Sequence, residues 1–501
     1  MRNVPVFDVL IIGAGVVGAA IARELSRYKL SIAVLEKEEE PAFGVSKSNS
    51  GIIHPGTQNP AGSLKGRLCL EGNILIRRIS GELGLDFKET GELIVAFSQD
   101  EIQRLLTIKS EAETLGVLDL RIVDKSWLRA NEPNLNPEAI AALYAPGAGV
   151  ISPYRLVYAL CENALKNGVE LYTQIRVENI VFTKPGFEIQ TSKGTFKARY
   201  VINAAGLSAD EISAMVGISD FKIAPRKGQE FILDKKKENL TNHLIFPSGF
   251  VGTAQCTVPT KGILVIKTAD GNPMIGPSAE EVEDKEDSST TEEGLRKVFA
   301  GARKLVPSIS QDDIIAYFSG LRPAAALAIG SQTTALWPAG DDFIIRYEDK
   351  APGFVNVAGI QSPGLTAAPA IAKMVCNILT EKGLQLEKKE GFISERKKPI
   401  HLFNIPLSET EELIKKNASY GDIVCRCEMV SAKEVQDAIT AGARTMDGIK
   451  FRTRAQSGRC HGSFCTTRLM KILSEETKTP LTAITKRGKG SEIVKGERTI
   501  D

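Results

Sequence analysis

The sequence lacks any long apolar run and any excess of charge of one sign. Its longest uninterrupted apolar segment covers residues 9–22, 14 residues, whereas a membrane-spanning helix needs about 20. The formal net charge is only +2, so no general attraction toward nucleic acid or an acidic membrane surface is expected. The first residues do not resemble a signal peptide, because the apolar segment runs into a folded-looking motif and not into a cleavage site. These absences predict a cytoplasmic protein with no membrane span.

Cysteine and histidine are scarce, which makes their placement informative. The chain has eight cysteines and four histidines. Half of the cysteines fall within 41 positions near the C-terminus: Cys425, Cys427, Cys460 and Cys465. In a reducing cytoplasm, such a cluster indicates metal ligands more strongly than it indicates disulfides. The others are scattered in apolar segments and are expected to be small buried core residues: Cys69, Cys161, Cys256 and Cys376.

A chain of 501 residues is too long for one hydrophobic core, so about two to four domains are expected. Its composition, 43% hydrophobic and 25% charged, is typical of a globular protein. Between residues 381 and 398, ten of eighteen residues are charged. That segment is therefore predicted to be an exposed linker between a catalytic body and the cysteine-rich module.

A glycine-rich fingerprint stands near the start of the chain. Gly13, Gly15 and Gly18 follow a predicted buried strand and open a predicted helix, and Glu36 ends the next predicted strand. In this arrangement the glycines let the backbone approach a pyrophosphate, and the helix N-terminus supplies free N–H groups. The carboxylate accepts hydrogen bonds from ribose hydroxyls. The fingerprint predicts a dinucleotide cofactor but does not distinguish FAD from NAD.

Three further segments carry a resemblance to one family. They read SNSGIIHPG at 48–56, VINAAG at 201–206 and AGIQSPGLT at 358–366. They look like the remaining FAD-contacting segments of the D-amino-acid-oxidase-like flavoproteins, and the resemblance runs over roughly residues 5–380. It implies FAD as cofactor and an α/β fold, in which a sheet-rich α+β substrate domain is inserted into a Rossmann-like FAD-binding domain. The FAD-contacting residues that it adds are Ser48, Asn49, Ser50, Val177, Ala205, Gly206, Gly359, Gly364, Leu365 and Thr366.

Other segments resemble one subgroup of that family. PAGSLKGRLC at 60–69 and TGELIVA at 90–96 are similar to 2-hydroxyglutarate dehydrogenases and anaerobic-type glycerol-3-phosphate dehydrogenases, and DGNPMIGP at 270–277 is similar to the glycerol-phosphate side. Several glycerol-phosphate enzymes have an arginine shortly after the flavin-loop histidine, where Thr57 and Gln58 stand here. The resemblance implies oxidation of sn-glycerol 3-phosphate to dihydroxyacetone phosphate. L-2-hydroxyglutarate, and an amino acid or opine, remain open as alternative substrates.

The implied reaction needs a base for the substrate proton and a cation for its anionic group. His54, in the flavin loop, is the candidate base; packing against the flavin or a covalent flavin link are its other roles. Arg322 matches the family position that often binds a substrate carboxylate or phosphate, which suits a bidentate guanidinium. Lys267 would add positive charge for a phosphate. His243 is a second histidine candidate in the substrate domain, and His401, beside the linker, is expected to be solvated.

The four clustered thiolates suit either zinc or a [2Fe–2S] cluster. Zinc sites more often use pairs two to four residues apart, so the single-residue gap in CRCE at 425–428 favours iron–sulfur. Seven basic against four acidic residues lie between Cys425 and Cys465, and nearby cations stabilise an anionic cluster. CRCE, with GRCHGSFC at 458–465, resembles the bacterioferritin-associated-ferredoxin-like [2Fe–2S] domain, a compact helical module. His461 stands where glutamine is common in that family.

The predicted FAD-binding domain comprises residues 1–85, 145–220 and 335–383, and the substrate domain 86–144 and 221–334. A linker over 384–419, a [2Fe–2S] domain over 420–473 and a tail over 474–501 follow. We expect a dehydrogenase that passes electrons from FAD through the cluster to an electron-accepting subunit, for which a second flavoprotein is expected. It would form a hetero-oligomer and meet a membrane through that partner alone. The alternatives are a non-catalytic electron-transfer subunit and a structural zinc site that docks a partner.

Overall fold

The computed structural model of the chain describes residues 6–60, 62–248, 250–253, 256–259, 262–329, 332–333 and 342–496. It confirms the predicted fold class: an α/β nucleotide domain, a second sheet-rich domain and a small helical C-terminal domain. In the described residues, no helix is both long and apolar enough to span a bilayer.

The nucleotide domain is built on a sheet that has eight strands in the described part of the chain. Three of its parallel strands, Val6–Ile12, Ile32–Leu35 and Phe354–Ala358, are nearly all apolar because helices or other chain segments cover both faces. The order of the strands in the sheet reverses beside the first strand of the chain. In open α/β sheets such a point forms a ligand-binding crevice. The parallel strands are, in order, Glu170–Tyr172, Ile32–Leu35, Val6–Ile12, Gly194–Asn203 and Phe354–Ala358. Antiparallel strands extend it: Val177–Thr183, Gly186–Thr191 and Ile344–Tyr347.

Helices pack on one face of this sheet and share a hydrophobic core with alternate strand residues such as Val9 and Ile11. Two of them cross at Gly72, where any Cβ would overlap the backbone carbonyl of Thr366. Thr366 in turn holds the flavin loop, so this crossing sets the position of that loop. The helices on this face are Val16–Leu25, Leu64–Glu82, Pro153–Lys166 and Gly364–Glu381, and Ala209–Ala214 lies on the other face.

Replacing Gly72 by alanine is expected to destabilise the nucleotide domain by about 1–3 kcal/mol, because the added methyl forces the two helices apart. Gly81 is the matched control: it lies in the same helix, a Cβ there would meet nothing within 4 Å, and alanine should add helix propensity. Denaturant unfolding of both variants gives the free energies. Equal stabilities for Gly72→Ala and Gly81→Ala would contradict the packing account.

The substrate domain is a mixed sheet with ten strands in the described residues. Its two long strands run antiparallel with Arg226 opposite Arg322. Helices Glu292–Leu305 and Gln99–Leu115 contribute to the hydrophobic cores on its two faces. The strands along the sheet are Gln332–Thr333, Ile314–Ile329, Phe221–Leu233, Pro273–Gly276, Leu264–Lys267, Leu244–Pro247, Glu92–Ala96, Ala141–Ala145 and Arg121–Asp124, and Glu280–Glu281 pairs with Phe221–Leu233.

Short elements complete the catalytic body. A small sheet joins the flavin loop to the segment before Pro153–Lys166, and 3₁₀ turns connect several strands. These elements are strands Ile52–Ile53, Lys88–Glu89, Gly149–Val150, Phe250–Thr253 and Cys256–Pro259, helix Lys125–Asn131, and 3₁₀ helices Val45–Lys47, Gly206–Ser208, Lys235–Lys237 and Gln311–Asp313.

The scattered cysteines that the structure describes are buried, as predicted: Cys69, Cys161 and Cys376. The side chain of Cys256, which was also expected in the core, lies outside the described residues.

The segment predicted as an exposed linker is docked along the nucleotide domain. Backbone carbonyls of Ile393 and Ser394 accept hydrogen bonds from Asn163 and Arg23. The prediction that His401 is solvated is wrong: its side chain is 14% exposed, and Nδ1 lies 3.6 Å from Glu434 Oε1. The segment contains 3₁₀ helices Leu402–Asn404 and Ala418–Tyr420 and helix Leu407–Lys416.

The C-terminal domain packs three short helices and a two-stranded sheet around its own core in the described chain. That core includes Ile484, which lies in the segment expected to be a tail. The domain therefore uses residues beyond 473 for its packing. Its elements are strands Ile423–Cys425 and Val430–Ser431, helices Ala432–Thr440, Met446–Thr453 and Thr466–Thr477, and the 3₁₀ helix Leu481–Ala483.

Candidate functional site

A cavity of about 2710 Å³ opens where the nucleotide domain, the substrate sheet and the C-terminal domain meet. Ligand pockets typically hold about 300–1,000 Å³, so this cavity has room for a dinucleotide and a substrate together. Gly13, Gly15 and Glu36 line one part of it, and His54 and Arg322 line another.

The fingerprint glycines are required by close backbone packing. Gly13 has φ +102°, and a Cβ there would lie 2.5 Å from the carbonyl oxygen of Ala204. A Cβ on Gly18 would overlap the carbonyl of Gly13. Gly18 therefore acts in helix–strand packing, the usual role of the third glycine, while Gly13 and Gly15 themselves line the cavity.

Glu36 holds the fingerprint loop from the end of the second strand. Its Oε2 accepts a hydrogen bond from Ala14 N at 2.7 Å, and Oε1 accepts one from Glu38 N at 2.9 Å. Burial raises the pKa of Glu36, although these hydrogen bonds oppose the shift. Each carboxylate oxygen has a second lone pair, and the residue lines the cavity. Glu36 is thus suited to accept a hydroxyl donor such as a ribose.

The structure brings the predicted cofactor residues from separate segments to one cavity. Twelve of the fourteen line it, and the exceptions are Gly18 and Thr366. The Thr366 hydroxyl accepts a hydrogen bond from His54 N at 3.0 Å, so this residue anchors the flavin loop. Direct contact with the cofactor stays a prediction for the twelve: Gly13, Gly15, Glu36, Ser48, Asn49, Ser50, Val177, Ala205, Gly206, Gly359, Gly364 and Leu365.

His54 is held by its backbone on both sides. Besides the bond to Thr366, its carbonyl accepts a hydrogen bond from Asn73 Nδ2 at 2.9 Å. The imidazole lines the cavity, with Nε2 3.4 Å from Ser362 Oγ and the ring edge-on to Phe246 at 6.3 Å between centroids. A rigid backbone with a cavity-facing ring is what a proton acceptor requires.

Arg322 and Glu230 form a charged wall of the cavity that the sequence did not fully reveal. Arg322 Nη2 donates to the Ser278 carbonyl at 3.1 Å. Glu230 is 3% exposed, and no donor among the described residues reaches its Oε2. Burial raises the pKa of Glu230 to about 7, against the attraction of Arg322, and burial also lowers the pKa of Arg322.

The alternation of side chains along a strand is the sequence signal that could have placed Glu230 in the cavity. Arg226, Gly228 and Glu230 are separated by two residues along one strand and all line the cavity. Because side chains of a strand alternate between faces, a prediction that placed one of them in the site would have placed all three.

Two predicted residues are not brought to the cavity. Leu264 lines it, but Lys267 does not; the two are three positions apart on one strand, so Lys267 belongs to the opposite face of the sheet. His243 donates a hydrogen bond from Nδ1 to Glu132 Oε1 at 2.7 Å and is also outside the cavity lining. Its role in the structure is a buried contact within the substrate domain.

The four clustered cysteines form two pairs of thiols. Cys427 Sγ lies 3.6 Å from Cys460 Sγ. A hydrogen bond between the other two thiols lowers the pKa of Cys425 to about 6 and raises that of Cys465. Two thiolates on one tetrahedral metal with bonds of about 2.3 Å lie about 3.8 Å apart, so the Cys427–Cys460 pair fits one metal ion.

The paired arrangement fits two irons better than one zinc. A [2Fe–2S] cluster takes four thiolates in all, and two per iron matches the pairs. Cys425 and Cys465 are buried, whereas Cys427 is exposed and Cys460 half-buried, so one edge of this centre reaches the protein surface.

The C-terminal domain is docked on the substrate domain through Arg454, whose side chain is 13% exposed. Its Nη2 donates to Asn272 Oδ1 at 2.7 Å, and its guanidinium lies 3.4 Å from Glu428 and 3.5 Å from Asp270. Burial opposes ionisation of Asp270, but Arg155 and Arg454 outweigh it and lower its pKa. Glu428 directly follows Cys427, so the thiolate centre is tied to the cavity wall.

The C-terminal domain is docked on the nucleotide domain through Glu40, which is 2% exposed. Its carboxylate accepts hydrogen bonds from Arg444 N at 3.0 Å, Thr445 N at 3.1 Å and Arg452 Nη1 at 2.6 Å. The Arg452 guanidinium lies 3.7 Å from the centroid of the Tyr158 ring. These contacts hold the thiolate centre in a defined place relative to the cavity.

The chain matches two families: FAD dependent oxidoreductase over residues 8–378, and BFD-like [2Fe-2S] binding domain over residues 423–475. A glycerol 3-phosphate dehydrogenase of Caloramator mitchellensis is 40% identical over 493 residues, 98% of each chain. A mitochondrial L-2-hydroxyglutarate dehydrogenase of Caenorhabditis elegans is 28% identical over 74% of this chain and 93% of its own.

Among solved structures, dithionite-reduced L-alpha-glycerophosphate oxidase from Mycoplasma pneumoniae, with FAD bound, is similar with a TM-score of 0.71 and 30% identity. The match covers 78% of this chain and 98% of that one. The first family match contains the glycine fingerprint, and the second contains all four clustered cysteines. Together these matches confirm FAD and a [2Fe–2S] cluster as the cofactors predicted from the sequence.

Proposed function

This chain belongs to the FAD-dependent oxidoreductases, and on that premise we propose that it oxidises sn-glycerol 3-phosphate to dihydroxyacetone phosphate and delivers the electrons through its [2Fe–2S] cluster to a partner. One observation carries the proposal. The glycerol 3-phosphate dehydrogenase relative matches 98% of the chain, cluster domain included, whereas the L-2-hydroxyglutarate dehydrogenase relative matches 74%.

The cavity offers the groups that this reaction needs. FAD supplies the hydride acceptor when bound, and the cluster a one-electron carrier. Arg322 would bind the anionic end of the substrate. Arg226 also lines the cavity and stands directly opposite Arg322 across the strand pair, so two guanidinium groups suit a phosphate dianion. His54 would take the hydroxyl proton from its fixed position in the loop.

Arg226 also offers a replacement for the arginine that is missing after His54 in this sequence. Thr57 and Gln58 line the cavity where related enzymes place an arginine after the flavin-loop histidine. The Thr57 hydroxyl donates to Glu92 and so adds no charge. We infer that the two arginines of the paired strands supply the positive charge that this loop lacks.

Glu230 predicts a pH dependence for substrate binding. Its carboxyl has a pKa raised to about 7, so it is neutral below pH 7 and negative above it. Ionisation beside Arg322 weakens the attraction for an anionic substrate; KM should therefore rise as pH rises through 7, by roughly 3- to 10-fold between pH 6 and pH 8. Steady-state assays across this range check the rise.

Glu230→Gln should remove that rise and lower KM at pH 8. The comparison controls for ionisation of the substrate phosphate itself, which has a second pKa near 6, because both proteins meet the same substrate. A glutamine variant with the wild-type pH profile would contradict the role of Glu230.

L-2-hydroxyglutarate is the second candidate substrate. A carboxylate also fits a bidentate guanidinium, and the missing loop arginine favours it. The two candidate substrates are distinguished by comparing kcat/KM for each with a one-electron dye as acceptor. The product of each reaction is identified as well. The proposal expects glycerol 3-phosphate to exceed L-2-hydroxyglutarate by ~100-fold or more, about 2.7 kcal/mol in transition-state binding. The reverse ratio would assign the hydroxy acid.

The partner is part of the same proposal. The exposed Cys427 gives a cluster edge from which an electron-accepting subunit, a second flavoprotein, would take electrons in a hetero-oligomer. A cytoplasmic location, with membrane attachment through that subunit alone, belongs to this proposal as well.

A further inference from the structure

The domain that carries the thiolate centre also supplies part of the wall of the FAD cavity. Residues from one of its helices, the loop that follows this helix and its last segment line the cavity together with the glycine fingerprint. These wall residues include Lys450, Phe451, Arg454, Gln456, His461 and Arg487. A domain that served only as an electron carrier would not need to enclose the cofactor.

Lys47 lies beside the place where the diphosphate of a dinucleotide is bound in this fold. The hydroxyl of its neighbour Ser46 accepts a hydrogen bond from Val16 N at 2.9 Å, in the first turn of the fingerprint helix. That helix N-terminus, whose dipole favours an anion, is the expected phosphate position. Lys47 itself lines the cavity.

A row of rings places Lys450 of the C-terminal domain near the same position. Lys47 Nζ lies 4.6 Å from the centroid of the Phe43 ring, and Phe43 stands edge-on to Phe451 at 6.0 Å. Phe451 is the next residue after Lys450 and contacts Tyr154 at 5.0 Å. The ring contacts therefore bring helix Met446–Thr453 against the segment that leads into Lys47 and the flavin loop.

The two lysines belong to a region with an excess of positive charge, which Asp447 and Glu38 offset only in part. In the described residues no carboxylate makes a salt bridge with either one, and the nearby Asp447 is bound by Lys486 at 2.7 Å. Burial lowers the pKa of both lysines; the charges of Lys486, Arg454 and Lys47 add to the effect at Lys450, and Asp447 opposes it. Neighbouring cations that line a cavity attract an anion into it.

We propose that the C-terminal domain completes the FAD site: Lys450, together with Lys47, binds the diphosphate of FAD, and FAD leaves when this domain separates from Glu40. This inference rests on the FAD cofactor and is independent of which substrate is oxidised. It makes the cluster domain a part of cofactor retention as well as of electron transfer.

The test follows FAD release from the holoenzyme by the rise of flavin fluorescence after dilution. Lys450→Gln should release FAD about tenfold faster, since a charge-assisted bond to phosphate is worth about 1.5–3 kcal/mol and 1.4 kcal/mol is a factor of ten. Lys450→Arg should keep slow release. Lys471→Gln, a lysine of the same domain that is 76% exposed, is the matched control and should equal the wild type.

Two further measurements distinguish the effect of the Lys450 charge from the effect of docking the C-terminal domain on Glu40. FAD-depleted Lys450→Gln protein should bind FAD about tenfold more weakly but riboflavin, which has no diphosphate, with unchanged affinity. Glu40→Ala should speed FAD release while iron content stays at the wild-type level. Wild-type release rates in both Lys450→Gln and Glu40→Ala, or an equal loss of riboflavin affinity, would overturn the proposal.

Discussion

Methionine in place of Arg322 will lower kcat/KM for glycerol 3-phosphate by roughly 30- to 5,000-fold, because removing one member of a buried charge pair costs about 2–5 kcal/mol. Arg322 lines the cavity, and among the described residues its guanidinium donates one hydrogen bond, to the Ser278 carbonyl, so its remaining donors suit a substrate anion. FAD content should not change, since Arg322 lies on the substrate sheet.

Arg296→Met is the control for this experiment, because Arg296 is exposed on the helix that covers the substrate sheet and should leave kcat/KM unchanged. Arg322→Lys tests the bidentate geometry: a lysine keeps the charge but not the fork, and should recover part of the loss. An Arg322→Met enzyme within threefold of the wild type would show that the anion is bound elsewhere.

Serine in place of Cys427 will remove the cluster and stop electron delivery while leaving the first half of the reaction intact. Cluster iron is held by thiolates, and a serine oxygen is a poor replacement for a soft sulfur ligand. We expect iron and acid-labile sulfide to fall from about two per chain to a small fraction of that. Turnover with a cluster-dependent acceptor should fall by ~100-fold or more, whereas substrate should still reduce the flavin anaerobically.

The control for this change is Cys376→Ala, which removes a thiol that is buried in the nucleotide domain and should leave iron content at the wild-type level. Wild-type protein that contains one zinc and no sulfide would contradict the cluster. So would a Cys427→Ser protein that retains full iron and full turnover.

Local sequence was sufficient where a site is built from one stretch of chain. The glycines at 13, 15 and 18 act through backbone contacts within a single strand–turn–helix unit, and Glu36 closes the same unit. The four cysteines likewise belong to one domain, with Cys425 at the end of a strand and the other three in turns. Such units need little information from distant residues, so their chemistry could be predicted.

Residues brought together by long-range pairing were harder to predict. Glu230 enters the cavity because its strand pairs with the one that carries Arg322, and the register of that pairing is not visible in either segment alone. Lys267 was placed in the site by charge, although its position in the strand puts it on the other face.

Domain docking was beyond the reach of motif-based reasoning. Nothing in the segment around Lys450 marks it as part of a nucleotide cavity, and its position there depends on the ring contacts of Phe451 and on the Glu40 hydrogen bonds. His401 is a similar case: a charged segment suggested solvent, but the ring is held beside Glu434. Both positions follow from how the folded domains meet.

The most direct test of the account is an anaerobic titration of the holoenzyme with glycerol 3-phosphate, recording flavin and iron–sulfur absorbance together. The account predicts rapid bleaching of the flavin band, with the cluster band reduced in the same titration and dihydroxyacetone phosphate as the product. No bleaching with glycerol 3-phosphate, followed by bleaching with L-2-hydroxyglutarate, would contradict the proposed substrate. Reduction by dithionite alone would contradict the dehydrogenase itself and favour an electron-transfer subunit.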